Sequence, residues 1–410
     1  FSVTAPEPVA APALLVLNAG LLNSYDLEDR WFRSTDGLAV LSGCATNPAN
    51  PPVAMAYAGH QFGHRVPLLG DGRAHMLGQL ATAQGLVDVQ LKGSGRTPYS
   101  RGGDGRATLA SVLREYLISE AMAGLNIPAT RSLAVIATGE TVYREYPEAG
   151  AILVRTARSH IRVGSFQLAA DKGPDVVQAL ADHLLQHHYP ELHDSELPYA
   201  GLLRAACIRQ GNLIAQWMLC GFIHGVMNTD NMSLVGETID FGPCAFMDEF
   251  NPNKVFSSID KRGRYAWAEQ PGIAIWNLSR FAETLLPLLA PDTDAALAIA
   301  ERELGAFLPE FQQTFYTGMT KKLRLKESVA NAQRHKFADS TLQMLSEQEI
   351  DMTVFFDSLT RVANGAFDTL LLQQFTDKTV GELWLTEWRD LAADDFESLS
   401  AMRQHNPAII

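Results

Sequence analysis

The amino-acid sequence predicts an α+β fold in two lobes, a β-rich lobe that holds one long helix and a mostly helical lobe. Short β-rich runs alternate with glycine-containing turns from about residue 35 to about residue 165. Helical periodicity replaces this alternation beyond about residue 170. We therefore expect an N-terminal extension and a β-rich nucleotide-binding lobe over residues 1–168, followed by a helical lobe over residues 169–410.

Five segments of the first lobe predict a mainly antiparallel sheet, because apolar and β-branched residues in them are bounded by turn residues. They read AHMLGQL, LVDVQLKG, SLAVIATG, TVYREY and AILVRTA. One helix interrupts the series after Asp104 and Gly105, and its apolar residues recur at helical spacing: Leu109, Val112, Leu113, Tyr116 and Leu117. This apolar stripe is expected to pack on the sheet.

The second lobe opens with two segments of helical periodicity, VVQALADHLLQHHYP and LLRAACIRQGNLIAQWMLCGFIHG. Further along, Phe307, Phe311, Phe315 and Met319 stand four residues apart and predict one buried helix face. The segment MSLVGETIDFG instead predicts a small hairpin about a Gly-Glu turn. This order of elements is the plan of the protein-kinase fold, and a fold alone does not define a function.

Composition excludes several classes of protein. Apolar residues make up 47% of the 410 residues and charged residues 19%, which is typical of a globular chain. The 33 basic and 46 acidic side chains give a net charge of −13, so the protein as a whole repels nucleic acid and anionic membranes. Four cysteines with no CxxC pair exclude a disulfide scaffold and a structural zinc site. Without a basic leader or a membrane span, we expect the reduced setting of the cytoplasm. We also expect a monomer.

The strongest motif is HGVMNTDNMSLVGETIDFG, residues 224–242. His224, Asn231 and Asp240 stand at the spacing of the kinase catalytic loop and its D-F-G. Val226 occupies the place of the kinase catalytic Asp, and the nearest acid is Asp230. Asn and Asp oxygens suit Mg²⁺ or Mn²⁺ held partly by nucleotide phosphates. The motif predicts a metal-nucleotide site, although D-F-G by itself is also found in ordinary turns.

A second motif, KGSGRTPYSRGGDGR, combines five glycines with one Lys and three Arg over residues 92–106. Glycine turns expose backbone N–H groups to anions, and the cations neutralise phosphate charge. A flexible loop with solvated charges is the alternative. Lys92 ends a predicted strand, as the phosphate-binding lysine of a kinase does, and Glu115 is then its candidate ion-pair partner. Glu115 lies beside the apolar stripe, and Glu120 is the second choice.

Two weaker signals accompany these motifs. Gly70, Gly72 and Arg73 form a turn about twenty residues before Lys92, where a kinase glycine loop would stand, although such a turn also suits an ordinary hairpin. Arg155 and Arg162 stand seven residues apart at the end of the β-rich lobe, and by themselves they could be surface arginines.

Histidines also recur at helical spacing, His60 with His64 and His183 with His187. Neither pair carries the glutamate of the HExxH metal motif. We therefore interpret them as structural residues and not as metal ligands.

Four stretches together resemble the selenoprotein O family of pseudokinases, called YdiU in bacteria. They are YAGHQFGHRVPLLGDGRAHMLGQL, LKGSGRTPYSRGGDGRATLASVLREYLISEAM, LVRTARSHIRVGSFQ and HGVMNTDNMSLVGETIDFGPCAFMDEF, which run from about residue 57 to about residue 250. The resemblance implies a kinase-like fold that binds ATP in a flipped orientation. It also implies transfer of AMP to Ser, Thr or Tyr hydroxyls of client proteins with Mg²⁺ or Mn²⁺ as cofactor.

The resemblance also assigns roles to individual residues. Asp230 would be the proton acceptor, Asn231 and Asp240 the metal ligands, and Glu115 the residue that holds Lys92. The nucleotide would be contacted by Gly70, Gly72, Arg73, Lys92, Asp104, Gly105, Arg155, Arg162 and Asp240.

The chain departs from the family in two ways. Many members carry a redox-active Cys or selenocysteine near the C-terminus, whereas no cysteine here follows Cys244. The chain also stops at RQHNPAII, where we expect relatives to continue. Three alternatives stay open: a kinase that transfers the γ-phosphoryl group, transfer of UMP from UTP with Mn²⁺, and a scaffold that binds nucleotide without turnover.

Overall fold

A computed structural model describes residues 1–408 and has a mixed α/β architecture with an antiparallel sheet and many helices. The chain divides into two compact units. The first unit comprises Phe1–Ala206, Asn228–Phe241 and Asn277–Leu304, and the second comprises Cys207–Met227, Gly242–Trp276 and the residues from Gly305 onward. Residues 228–241, which include Asp230, Asn231 and Asp240, therefore belong to the same unit as the sheet, whereas His224 belongs to the second unit.

The strands are β1 (Ser2–Val3), β2 (Ala13–Leu17), β3 (Val53–Ala54), β4 (Gly59–Gln61), β5 (His64–Val66), β6 (Ala74–Thr82), β7 (Gly85–Lys92), β8 (Ala107–Thr108), β9 (Arg131–Tyr143), β10 (Pro147–Ala157), β11 (Phe222–Ile223) and β12 (Ala245–Phe246). The large sheet has the order β1-β3-β6-β7-β10-β9-β2, with β8 paired to β10, and its paired strands run antiparallel. Strands β4 and β5 form a separate hairpin, and β11 pairs with β12. The predicted antiparallel sheet is therefore confirmed.

The helices are α1 (Ala19–Ser24), α2 (Asp29–Phe32), α3 (Thr35–Leu41), α4 (Leu109–Gly124), α5 (Val163–Ala170), α6 (Pro174–His188), α7 (Pro198–Leu219), α8 (Gln270–Leu289), α9 (Thr293–Leu304), α10 (Phe307–Lys322), α11 (Asn331–Glu347), α12 (Met352–Ala363), α13 (Thr369–Leu372), α14 (Lys378–Leu391) and α15 (Phe396–His405). Beyond β10 the chain is thus mainly helical, as the periodicity predicts. In α10 the rings of Phe307, Phe311 and Phe315 stack in sequence.

Helix α4 packs on one face of the large sheet. Its N-cap is Thr108, whose hydroxyl accepts a hydrogen bond from the Ser111 backbone N–H at 3.3 Å. Val112 is buried in a cluster with sheet residues Val135 and Leu153. Leu117, however, is 67% exposed, so its predicted place on the buried stripe is wrong. The face turned to the sheet bears Val112, Glu115, Ser119 and Met122.

The other face of the sheet carries a second apolar cluster. Leu91, Ile136 and Ile152 from its strands pack there against Leu21 and Leu22 of helix α1. Because successive strand residues point to opposite faces, Leu91 faces this cluster while Lys92 faces α4. The sheet is thus covered on both sides, and Lys92 is 8% exposed.

Two predicted strand boundaries differ from the structure. SLAVIATG and the first three residues of TVYREY belong to one strand, β9, that continues through Gly139 and ends at Tyr143. MSLVGETIDFG forms isolated bridges and not a regular hairpin: Met232 pairs with Thr238, and Thr238 also pairs with Ala129. The pairing of Thr238 with Ala129 explains the difference, because an alternation pattern within one segment cannot reveal a partner from a distant part of the chain.

No helix within residues 1–408 is long and apolar enough to cross a membrane. Cys44, Cys207, Cys220 and Cys244 are free thiols.

Candidate functional site

Strand register places four side chains of the first unit on one face of the sheet. Lys92 of β7 stands opposite Leu153 of β10, and Gln90 stands opposite Arg155. Residues two apart on a strand share a face, as do residues directly opposite in an antiparallel pair. Lys92 and Arg155 therefore both point to the side of the sheet on which α4 packs, where Glu115 is buried.

Lys92 is the centre of a buried ionic network. Its Nζ lies 2.5 Å from Glu115 Oε2 and 2.7 Å from Asp240 Oδ1. The second oxygen of Glu115 accepts a hydrogen bond from Arg155 Nη1 at 3.0 Å. Two cations thus meet two carboxylates, which compensates the high cost of burying each charge alone. Residues separated by up to 148 positions in sequence come together here.

Glu115, and not Glu120, is the carboxylate that meets Lys92. Glu120 forms an ion pair with Arg131 at 2.7 Å and accepts a hydrogen bond from the Ser132 N–H. Glu115 shares a helix face with Val112, since they are three residues apart. Helix α4 therefore buries its carboxylate on the same side as its apolar residues.

Asp240 adopts a left-handed backbone conformation with φ of 68°, which is uncommon for a residue that has a Cβ. Its side chain is 40% exposed, in contrast to Lys92. The positive charge of Lys92 holds the pKa of Asp240 far below its usual range. Burial acts against this shift, whereas the guanidinium groups of Arg155 and Arg73 also lower the pKa. Asp240 is thus an ionised carboxylate that is partly open to solvent.

Asp71 is a site residue that the sequence analysis missed, although it stands between Gly70 and Gly72. It is 5% exposed, accepts a hydrogen bond from Gln90 Nε2 at 2.8 Å and lies 3.8 Å from Arg162 Nη2. Gln90 in turn accepts a hydrogen bond from Arg155 Nε at 2.7 Å. Asp71 therefore joins the two arginines, and the alternation of Gln90 with Lys92 on one strand face was the signal that could have revealed this link.

The glycine turn before β6 lies against the second glycine-rich loop. A Cβ on Gly70 would come within 2.4 Å of the Tyr99 ring, and the φ of Gly70 is 146°, so this position requires glycine. The Ser100 hydroxyl donates to the Gly72 carbonyl oxygen at 2.5 Å. The Thr97 hydroxyl donates to the Asp71 carbonyl oxygen at 2.7 Å. The two glycine-rich motifs thus form one packed surface.

The loop between Lys92 and α4 closes on itself at Gly105, whose φ is 69° and whose Cβ would collide with the backbone of Gly95. Asp104 next to it forms an ion pair with Arg144 at 2.7 Å. Hydrogen bonding from Arg144 lowers the pKa of Asp104 to about 2. Asp104 and Gly105 therefore lie in the part of this loop that leads into α4. The Asp104 carboxylate accepts hydrogen bonds from Arg144 and from the Arg106 N–H, and it is not part of the Lys92 network.

Arg162 connects the sheet to the loop that carries Asp230. It is the N-cap residue of α5 and is 3% exposed. Its Nη1 donates to the Asp230 carbonyl oxygen at 3.0 Å, and its guanidinium lies 4.5 Å from the centre of the Tyr57 ring. The cation thereby holds the backbone of the Asp230 loop.

Asp230 lies in a short 3₁₀ turn, Thr229–Asn231, and is 9% exposed. Burial raises its pKa to about 6, while the Arg162 charge opposes the shift. Its Oδ1 atom is buried and accepts no hydrogen bond from residues 1–408. A carboxyl group with a pKa near neutrality and an open acceptor atom has the properties of a general base.

Asn231 and Asp240 offer the oxygen ligands that Mg²⁺ and Mn²⁺ prefer. Both are half-buried, and Asp240 is ionised. Within the described part of the chain, no group of three or more His, Cys, Asp or Glu could hold a metal. The chemistry of the pair fits a cation that takes its remaining ligands from phosphate oxygens and water.

The histidines have other surroundings. His224 is fully buried in the second unit, and its ring packs 5.4 Å from that of Trp217. His183 and His187 lie on α6 with ring centres 4.5 Å apart. His60 bonds through Nδ1 to the Gln167 amide at 2.8 Å.

Comparison with known proteins gives one family model and several relatives. The model described as "Protein adenylyltransferase SelO" matches residues 1–409. "Protein nucleotidyltransferase YdiU" of Shewanella denitrificans is 54% identical over 99% of this chain and 82% of the relative. The proteins of the same description from Bradyrhizobium sp. and Mycolicibacterium smegmatis are each 50% identical, over 100% and 98% of this chain and 84% and 82% of the relatives.

Proposed function

The chain belongs to the SelO family of protein adenylyltransferases and is a nucleotidyltransferase, and on this premise we propose that it transfers AMP from ATP to Ser, Thr or Tyr hydroxyls of client proteins. Pyrophosphate is the second product. The observation that carries the proposal is a connected set of three buried cations. Glu115 joins Lys92 to Arg155, and Gln90 with Asp71 joins Arg155 to Arg162, which bonds to the loop of Asp230.

The cations suit the leaving group. Lys92, Arg155 and Arg162 are each less than 9% exposed, so their charges act in a medium that screens them weakly. If ATP binds with its triphosphate tail inward, these cations stabilise the charge that develops on pyrophosphate. The α-phosphorus then faces the acceptor protein. We propose this flipped orientation, within a kinase-like arrangement of two lobes, together with nucleotide contacts from Gly70, Gly72, Arg73, Asp104, Gly105 and Asp240.

Asp230 is the proposed proton acceptor. The acceptor hydroxyl oxygen forms a bond to the α-phosphorus as the bond from that phosphorus to the β-phosphate oxygen breaks, and the hydroxyl proton passes to the Asp230 carboxylate. Asn231 and Asp240 would hold Mg²⁺ or Mn²⁺, which neutralises charge on the phosphate oxygens when bound. Glu115 orients Lys92 through the 2.5 Å ion pair.

Transfer of the γ-phosphoryl group is a second candidate, favoured by the Lys92–Glu115 ion pair, which kinases also use. The two reactions differ in which phosphorus reaches the acceptor. Incubation with ATP labelled at the α or at the γ phosphorus, followed by measurement of label in protein, separates them. We expect α label in the acceptor, and incorporation of γ label alone would refute AMP transfer. UTP labelled at the α phosphorus, with Mn²⁺, tests UMP transfer in the same assay.

A further inference from the structure

The short hairpin of β4 and β5 lies against the loop that carries Asp230. Gly59 pairs with Val66, His60 with Arg65 and Gln61 with His64. Phe62 and Gly63 at its turn have φ of 50° and 83°, the pair of positive values that a tight two-residue turn of type I′ requires. Phe62 has a Cβ and is strained there. An isolated two-stranded hairpin is at best marginally stable, so its contacts with the rest of the unit must hold it in place.

Three side chains join this hairpin to α5 and to the Asp230 loop. The Thr229 hydroxyl donates to Gln167 Oε1 at 2.7 Å and accepts a hydrogen bond from the His60 backbone N–H at 2.7 Å. The Gln167 amide nitrogen donates to His60 Nδ1 at 2.8 Å. The bonds form a closed ring in which both amide atoms of Gln167 are used. Thr229 is fully buried and Gln167 is 4% exposed, so water cannot replace lost partners easily.

Contacts on either side of the ring hold the same elements together. The Phe62 backbone N–H donates to Asn228 Oδ1 at 3.0 Å, which stabilises the strained turn. Arg65 forms an ion pair with Asp171 at the C-terminal end of α5, with an N–O distance of 2.7 Å. The hairpin is therefore tied to the loop at its turn and to α5 through its second strand.

The ring acts on the residue next to Asp230. A Cβ on Gly59 would lie 3.1 Å from both Asp230 Oδ1 and the Thr229 hydroxyl, so the hairpin backbone lies close beside the carboxyl group. Gly164 of α5 approaches the other side, where a Cβ would lie 3.4 Å from the Asp230 Cα. Hairpin, helix and loop thus pack closely around Asp230, so we expect a shift of this residue to strain the ring.

We infer that Thr229, Gln167 and His60 form a positioning network that holds the Asp230 carboxyl in the orientation needed to accept a proton from the acceptor hydroxyl. The inference rests on the proposed function, because it deepens the role given there to Asp230. The three residues act through the loop and do not react themselves. Reacting groups displaced by about 1 Å can cost on the order of 100-fold in rate, so a network of this kind has a measurable effect.

Thr229→Val is the decisive variant, since valine keeps the shape of threonine and removes both hydroxyl bonds of the ring. We expect kcat for AMP transfer to fall by roughly 10- to 100-fold with KM for ATP changed by less than about threefold. Thr229→Ser retains the hydroxyl group and should keep kcat within about threefold of the wild type. Hydrogen–deuterium exchange at the amides of residues 226–232 should be faster in Thr229→Val than in the wild type, and unchanged in Thr229→Ser.

Thr156→Val is the matched control. Thr156 is fully buried in the same unit, and its hydroxyl bonds to the Tyr25 hydroxyl at 2.8 Å, remote from the ring. This variant loses a buried hydroxyl bond without touching the Asp230 loop. We expect a comparable fall in the urea midpoint of unfolding and kcat within about twofold of the wild type.

The outcomes separate the inference from the function on which it rests. A wild-type protein that incorporates no α label, together with faster loop exchange in Thr229→Val, would refute AMP transfer and leave the network as the support of the loop. Unchanged kcat and unchanged exchange in Thr229→Val would overturn the network. Equal losses of kcat in Thr229→Val and Thr156→Val would also overturn it, since general destabilisation would then explain both.

Discussion

Two lysines, one in each unit of the molecule, are buried to a similar degree but have different electrostatic surroundings. Lys92 in the first unit is 8% exposed and lies between Glu115 and Asp240. Lys322 in the second unit is 5% exposed, donates to the His405 carbonyl oxygen at 3.0 Å and lies 4.2 Å from the centre of the Phe356 ring. Burial lowers the pKa of Lys322 to about 8. Lys92 meets two carboxylates, whereas Lys322 meets a carbonyl oxygen and an aromatic face.

We propose that this difference separates a cation of the nucleotide site from a structural one. A buried ammonium group loses its hydration, and only opposite charges at close range compensate the loss fully. Glu115 and Asp240 hold the Lys92 ammonium group by ion pairs at the place where a triphosphate is proposed to bind. Within residues 1–408, the contacts of the Lys322 ammonium group are with a carbonyl oxygen and an aromatic ring and not with a carboxylate, so its charge is costly to the second unit. The carboxylates around a buried lysine, and not its burial, thus mark the site.

Removal of Glu115 should have the largest effect on stability. Glu115→Leu leaves the Lys92 and Arg155 cations with one carboxylate fewer, so we expect the free energy of unfolding to fall by about 3–5 kcal/mol. Lys322→Met is the contrasting variant, because it removes a costly charge and keeps the apolar stem. Its unfolding free energy should be unchanged or higher at pH 7. Urea denaturation measures both, and equal losses in the two variants would contradict the comparison.

The same contrast applies to activity. Lys92→Ala and Asp240→Ala should each reduce AMP transfer by at least about 100-fold, or ~2.7 kcal/mol of barrier, because the phosphates lose a cation or the metal loses a ligand. Lys322→Met should stay within about twofold of the wild type. The assay is kcat/KM with α-labelled ATP. Full activity in Lys92→Ala or Asp240→Ala would remove that residue from the mechanism.

Lys322 should also make stability depend on pH. Its pKa is about 8 in the folded protein and ordinarily 10.5, so between these values the unfolded chain binds a proton that the folded chain has released. Stability therefore rises with pH across this window, and the full penalty is present below pH 8. The advantage of Lys322→Met over the wild type should shrink by on the order of 2 kcal/mol from pH 8 to pH 10.5. Urea midpoints of both proteins across this range give the difference, and a constant difference would contradict the assignment.

An exposed ion pair should show the smallest effect. Asp104 and Arg144 lie 2.7 Å apart with side chains about 40% exposed. Arg144→Ala should cost less than about 1 kcal/mol of unfolding free energy, and salt should reduce that cost. Asp104→Asn adds a test of the proposed nucleotide contact, since only a direct contact predicts weaker ATP binding by calorimetry. Unchanged ATP affinity would remove Asp104 from the nucleotide site.

Local sequence patterns were sufficient to predict most of the helices and strands. The positions of β6, β7, β10, α4, α6 and α7 follow from period-2 or period-3.6 repeats bounded by turns or caps, and these depend on neighbours within a few residues. Leu117 was misplaced because a stripe of five apolar residues is wider than the face that the sheet covers. The bridge between Thr238 and Ala129 was missed because the two residues lie more than a hundred positions apart in the sequence.

The sequence by itself predicted the family, the order of the elements and the residues that we propose bind a nucleotide and a cation, because motifs and helix or strand periods are properties of short segments. Only the tertiary structure decided the choice of Glu115 over Glu120, the role of Asp71 as a link between two arginines, and the ring of Thr229, Gln167 and His60. Each depends on side chains brought together across tens to more than a hundred residues. Such contacts arise from strand register and helix rotation in the packed unit, and no local pattern encodes either.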